Sequence, residues 1–250
     1  MAMQGSIAPA LTAKSELLSA QEAVEIAKRH YGIAAEAHRL PGEKDSNFGL
    51  SVSDGRELLL KVVNPGEDPA VTNMHTLALA YVASRDPGMP IQRIVPDLEG
   101  RLEFQLEYGP DDVRTVRMVT FTQGALQRKT TQSPRQRRNA GAMLARLQDG
   151  LLGFKHPAEA HFSTWDMKNA LHLKPMLAEL TNADDRAELI SWLDRFGEEV
   201  LPHLASMRSQ VVHNDLNSDN IIVDPYDTDR IVGIIDFGDM VKTPVLFDVA

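Results

Sequence analysis

Two spacings of apolar residues alternate along the first half of the chain. Ala23, Ile26 and Ala27 recur at helical spacing behind Ser19-Ala-Gln-Glu22, a capping-box signature, and Gly32 closes the run; a short amphipathic helix is expected. Over residues 34–63 the period drops to two, with Phe48, Leu50 and Val52 alternating with small or polar residues. Asp54-Gly55 signals a hairpin, and Leu58-Leu-Leu-Lys61-Val-Val resumes the strand. Leu40-Pro-Gly42-Glu-Lys-Asp45-Ser-Asn47-Phe is then the loop between the first two strands. A helix with Pro69 in its first turn is expected over 69–84. Strands follow at 91–95, 101–107 and 113–121, parted by Leu98-Glu-Gly and Gly109-Pro-Asp-Asp turns. Five strands and a helix would form an antiparallel small lobe of sequential hairpins with no parallel crossover.

The second half opens with Ser133-Pro134 and a helix bearing Met143, Leu144, Leu147 and Leu151 on one side, read as core. A long helix over 184–202, with Leu189, Trp192, Leu193, Phe196 and Val200 at helical spacing, is read as core as well. From 211 to 239, short β-branched runs alternate with polar loops, and Asp-Thr-Asp at 227–229 would fold the last two runs into a hairpin. That hairpin would hold Asp215, Asn220 and Asp236 close together on rigid supports.

Composition narrows the function classes. Hydrophobic residues at 43% and charged residues at 24% are those of a soluble globular chain. The net charge, 26 minus 35 or −9, argues against a general binder of nucleic acid or of an anionic membrane. No cysteine is present, so there is no disulfide framework and no thiolate chemistry. No apolar run approaches the length of a membrane span. Met1 to Thr12 lack the pattern of a secretory signal and read as a loose leader or partly an expression scar, which makes the cytoplasm the expected location. The expected division is a flexible leader at 1–18, a small lobe at 19–122 and a larger one at 123–250. The basic stretch 127–138, with Arg128, Lys129, Arg135, Arg137 and Arg138, reads as a solvated face.

The loop residues have a chemical use. A loop Asp beside a hydroxyl can orient it or accept its proton. An Asn amide oxygen and a second carboxylate are hard ligands suited to Mg²⁺, which takes few protein ligands. Kinase-type phosphoryl transfer divides its work in this way. His, Asp and Asn are also ordinary turn formers, and either half of the pattern alone would recur by chance. Together, at this separation and flanked by strands, they are hard to explain as turns. Lys61 is a lone cation in an apolar strand, where it either needs a partner or snorkels from an edge.

His213-x-Asp215-x-x-x-x-Asn220 followed by Ile-Asp236-Phe-Gly-Asp239 resembles the aminoglycoside phosphotransferase family. The wording HNDLNSDN and IDFGDM is most similar to its hydroxylysine-kinase and homoserine-kinase-like branch, which includes domains fused to class III aminotransferases. The resemblance covers roughly residue 40 to the C-terminus. It implies an α+β, bilobal, protein-kinase-like fold with an antiparallel-sheet N-lobe carrying one helix and a mainly helical C-lobe. It also implies Mg²⁺-dependent transfer of the γ-phosphoryl group of ATP or GTP to a hydroxyl of a small amino alcohol resembling hydroxylysine, ethanolamine or homoserine. Partners would be that nucleotide and acceptor, with fusion to or association with an aminotransferase allowed, and neither nucleic acid nor membrane.

In that scheme Asp215 is catalytic, Asn220 and Asp236 hold the metal, and Lys61 grips the phosphates. Asp45 and Asn47 belong to the loop over the phosphates. Val119 and Phe121 lie in the hinge, 118–124, whose backbone binds the purine edge. His213 reads as a structural histidine bonding the backbone near the second acidic loop, and Asp239 as a further substrate or structural candidate. Trp165-Asp166 recurs in this branch near the acceptor site and reads equally as a buried tryptophan with a capping Asp, so Asp166 is a substrate or a structural residue. Asn214 stands where the family often has Gly, and Asn tolerates the left-handed conformation.

The expected helix over 69–84 departs from the family. Its inner turns hold no acidic residue to pair with Lys61; Asn73 and His75 stand there instead. Either Glu67 or Asp68 supplies the carboxylate, or the activity is weakened. The second option favours an alternative reading, a nucleotide-binding pseudokinase module that regulates or docks a fused or partner enzyme such as an aminotransferase. The chain stops at Leu246-Phe-Asp248-Val-Ala250, where in the family an Asp caps a helix and further helices complete the acceptor pocket. A fragment or one domain of a longer protein is therefore expected.

Overall fold

The computed structural model describes residues 18–42, 44–109 and 112–249. The leader expected at 1–18 lies outside these residues except for Leu18, and Glu43, the turn residues Pro110 and Asp111, and Ala250 lie outside them too. Leu18 corrects the expectation for its position. It is buried in the core, its N–H donates to Ser46 Oγ at 3.2 Å, and its carbonyl accepts from the Arg39 guanidinium.

Helix α1, Ala20–Tyr31, starts at the expected capping box: Ser19 Oγ accepts from the Glu22 N–H at 3.2 Å, and the Glu22 carboxylate accepts from the Ser19 N–H at 2.7 Å. It ends at Gly32, whose φ of +68° is left-handed backbone open to glycine at little cost. Strands β1 (Ala35–Leu40), β2 (Ser46–Val52) and β3 (Glu57–Val62) then form two hairpins. After helix α2 (Pro69–Arg85) come β4 (Ile94–Val95), β5 (Phe104–Gly109) and β6 (Asp112–Thr120).

All six strands join one antiparallel sheet in the order β1-β2-β3-β6-β4, with β5 also paired to β6. The sheet thus has six strands where five were expected, and its pairing is not wholly sequential. Strand β6 returns across α2, β4 and β5 to pair with β3, placing Leu60 opposite Met118 and Lys61 opposite Arg117. Burial accompanies this pairing: six consecutive residues of β6, from Arg114 to Val119, are buried, as are Leu58, Leu60 and Val62 of β3. Phe48, Leu50, Leu60, Val62, Val116 and Met118 pack there beneath Ala23, Ile26 and Tyr31 of α1.

The second core spans the lobes. After β7 (Ala125–Leu126), helix α3 (Pro134–Leu151) is capped by Ser133 Oγ, which accepts from the Gln136 N–H at 3.0 Å. Its Leu147 and Leu151 pack with Met74, Ala78 and Val82 of α2 and with Ile234, Phe237 and Met240. A run of 3₁₀ turns, Met167–Glu179, and helix α4, Ala183–Glu199, follow. Here the core expectation is corrected: no residue of α4 is buried, and Trp192 is 57% exposed. The helix packs mainly on the 3₁₀ run, and Phe196 reaches Phe247 at 6.1 Å between ring centroids. The basic stretch is solvated as expected, with Arg128 on Asp219 and Arg135 on Asp229 as exposed ion pairs.

Short strands close the chain. Strand β8 (Ser209–Val212) pairs antiparallel with β11 (Val241–Pro244), and β9 (Ile221–Val223) forms the expected hairpin with β10 (Ile231–Ile234), extended by β7. Among the described residues, no helix is long and apolar enough to cross a membrane.

Candidate active site

His213 ties the two acidic loops together. The side chain is fully buried, and its Nε2 lies 3.0 Å from the carbonyl oxygen of Ile235, the residue before Asp236. The N–H of Asp215 donates to Nδ1 at 3.3 Å, so Nδ1 accepts and Nε2 carries the proton. Burial lowers the His213 pKa and favours the neutral ring, although Asp248 and the Ile235 carbonyl pull the other way. Its structural reading is supported: it orients both loops and does not line the cleft between the lobes.

The chain enters the first loop through Asn214, which adopts φ +67° and donates its N–H to Asp248 Oδ1 at 2.7 Å. Asp248 lies at the end of a 3₁₀ turn, Val245–Asp248. It is buried, and its other oxygen accepts from Gln148 Nε2 at 3.0 Å. Asp215 follows, with one carboxylate oxygen accepting from Asn217 Nδ2 and the other from Asn220 Nδ2, both at 2.7 Å. Asn220 Nδ2 also donates to the Asp215 carbonyl at 2.8 Å, which leaves the amide oxygen of Asn220 as the atom available to a cation. Asp236, at φ +59°, stands in left-handed backbone with a half-exposed side chain.

A cleft of about 870 Å³ separates the sheet from these loops. Asp45, Asn47 and Lys61 face it from the N-lobe, and Asp215, Asp236 and Asp239 from the C-lobe. Lys61 Nζ lies 3.0 Å from Asp45 Oδ2 and 3.9 Å from Asp236 Oδ1. Its carboxylate partner is thus neither Glu67 nor Asp68: Glu67 pairs with Lys44 at 3.6 Å, and Asp68 caps α2 by accepting from the Ala70 N–H at 2.8 Å. Burial, then Asp215 and Asp236, push the Asp239 carboxyl up to about 6.

Other expected site residues lie elsewhere. Val119 and Phe121 do not line the cleft; Val119 sits within the sheet, and the Phe121 N–H donates to the Glu57 carbonyl at 3.0 Å. Asp166 is buried, caps the 3₁₀ run through the Lys168 N–H at 3.0 Å and accepts from Thr243 Oγ1 at 2.8 Å. It acts as a structural cap, while Trp165, 65% exposed, lines the cleft in its place.

Arg117 and His75 also line the cleft. Arg117, on β6, is buried and donates to the Thr72 carbonyl at 3.3 Å and Thr76 Oγ1 at 3.1 Å. Burial lowers its pKa, opposed by Glu103, Asp45 and Asp236. Like Lys61, it sits between two apolar neighbours, Val116 and Met118. His75 stands at 5% exposure with its Nε2 unpartnered, and burial, then Arg117 and Lys61, hold its pKa well down.

These residues suit a hard divalent cation bound with a phosphate-bearing ligand. The donors are oxygens, Asn220 Oδ1 and the Asp236 carboxylate, and the neighbouring Asp239 carboxyl is raised first by burial and then by Asp215 and Asp236. Among the described residues, no three His, Asp or Glu side chains are grouped to hold a metal by themselves.

Residues 36–250 match the model of the phosphotransferase enzyme family. A hydroxylysine kinase of Danio rerio is 30% identical over 93% of this chain and 68% of its own length. A hydroxylysine kinase of Mus musculus is 28% identical over 84% of this chain, which spans 61% of that protein. The structure of a microcompartment-associated aminopropanol kinase superposes with a TM-score of 0.72 at 21% identity, over 92% of this chain and 73% of that one. The fold is the α+β, kinase-like one that the motifs implied. The chain belongs to the phosphotransferase enzyme family, among its small-molecule kinases.

Proposed function

We propose that this chain transfers the γ-phosphoryl group of ATP or GTP, with Mg²⁺, to the hydroxyl of a small amino alcohol. The observation that carries this reading is the 3.9 Å approach of Lys61 to Asp236, which spans the cleft beside Asp215 and joins the two halves of a phosphoryl-transfer site. Residues 19–122 would bind the nucleotide and 123–250 would hold the acceptor. Lys61 holds phosphate oxygens, with Asn47 and the loop around it above them. The purine would lie beyond the residues that line the cleft, against the backbone at the hinge end of β6. Asn220 and Asp236 would hold the ion, which would supply positive charge against the phosphates. Asp215, fixed by two amide donors, orients the acceptor hydroxyl and takes its proton as the oxygen bonds to phosphorus and the bond to the bridging oxygen breaks. The relatives named for hydroxylysine and aminopropanol support an acceptor bearing both an amine and a hydroxyl.

The non-catalytic alternative drew on the missing carboxylate of α2, and the Asp45 pairing weakens it. The test is thermal unfolding with ATP or GTP, each with and without Mg²⁺, followed by assay of amino-alcohol-dependent ADP or GDP release. A ligand of the native state raises the melting temperature by mass action. The expected result is a Mg²⁺-dependent rise with at least one nucleotide and release that depends on the acceptor. Nucleotide binding that ignores Mg²⁺, with no release, would favour the non-catalytic module.

A further inference from the structure

Helix α2 offers Lys61 no carboxylate: its cleft-facing positions are Thr72 and His75. The side chain opposite Lys61 on the neighbouring strand is another cation, Arg117. Like charges in directly opposed positions disfavour each other. Something else must hold the ammonium in the cleft. Asp45 is placed to do so, and both of its oxygens are engaged. Oδ2 lies 3.0 Å from Lys61 Nζ, and Oδ1 accepts from the Asn64 N–H at 3.0 Å, just beyond the end of β3. The β2–β3 register, with Asn47 opposite Lys61, brings the end of the loop to the lysine. The Lys61 and Asp45 side chains are only 17% and 16% exposed, so the pair is largely shielded from competing water.

We infer that Asp45 is the positioning residue for Lys61, a carboxylate supplied by the phosphate-side loop in place of one on α2. The inference rests on the proposed function for its consequence but not for its geometry. Asp45→Asn keeps the shape and can still accept from the Asn64 N–H while removing the charge. Asp45→Glu keeps the charge.

Two measurements test it. The first is the rate at which an amine-directed acylating reagent modifies Lys61 at one fixed pH, followed by peptide mass spectrometry without any ligand. Asp45→Asn is expected to raise that rate at least threefold, with melting temperature near wild type, and Asp45→Glu to raise it less. An unchanged rate overturns the inference whatever the protein's activity. The second is the split between KM for nucleotide and kcat. Asp45→Asn is expected to raise KM about tenfold and lower kcat by a similar factor, with partial recovery in Asp45→Glu. A lower KM or a higher kcat in Asp45→Asn would mean that Asp45 blocks the site, and would also overturn it. If wild type turns over no nucleotide, the proposed function fails while the acylation result still decides the role of Asp45.

Discussion

His213 Nε2 sits 3.0 Å from the carbonyl oxygen of Ile235, so a buried ring on the first acidic loop sets the position of the second. Replacing His213 with Ala removes that donor, orphans the Asp215 N–H and leaves a cavity beside Phe237, whose ring centroid is 4.8 Å away. Together these losses should cost about 2–4 kcal/mol. Urea unfolding of His213→Ala should show a lower midpoint at unchanged slope. A midpoint equal to wild type would contradict the structural role.

Asp215 and Asp236 should fail differently under the proposed function. Asp215→Asn keeps a polar group between Asn217 and Asn220 but removes the proton acceptor, so kcat should fall about 10²–10⁴-fold with nucleotide binding kept. Asp236→Asn should abolish the Mg²⁺-dependent part of the nucleotide's thermal shift. Measuring both properties in both variants separates the roles, and wild-type turnover in either would refute its assignment.

Arg117 is a buried cation opposed most strongly by the charge of Glu103, itself held by Asn73 Nδ2 at 2.8 Å and by Thr76 Oγ1. Arg117→Met keeps most of the volume and leaves Glu103 with both donors, so stability should fall by only about 1–2 kcal/mol. Because Arg117 lines the cleft beside Lys61, nucleotide KM should rise about tenfold in the same variant. A loss of stability with unchanged KM would assign Arg117 to the lobe's structure alone.

The catalytic and metal candidates were readable in the sequence because each loop lies between short strands that the β-branched runs reveal, so Asp215, Asn220 and Asp236 come together by local folding. The partner of Lys61 was not readable. It depends on the turn of the loop at Asp45 and on the β2–β3 register, which no spacing rule contains. Arg117 stands between Val116 and Met118 in the sequence, but its place opposite Lys61 needs the non-sequential pairing of β3 with β6. The apolar stripe of α4 gave the right element and the wrong burial. Periodicity reports which face is apolar, not whether anything covers it, and Trp192 stands exposed.

Asp239 sets a pH dependence. Burial, then Asp215 and Asp236, raise its carboxyl from 3.8 to about 6, so the folded state holds this proton more tightly than the unfolded state. Between about pH 4 and pH 6 the folded protein therefore binds more protons, and stability falls as pH rises through that window. Below it both states are protonated and the contribution is fully present; above it the buried carboxylate is a cost. A shift of roughly two units corresponds to about 3 kcal/mol at most, and partial exposure reduces the expectation to about 1–2 kcal/mol. Asp239→Asn is neutral at every pH. Urea unfolding in EDTA should find it equal to wild type at pH 4 and more stable by that amount at pH 7.5. A difference that stays constant across the range would show that another group titrates, and that the three cleft carboxylates do not share their charge as this geometry requires.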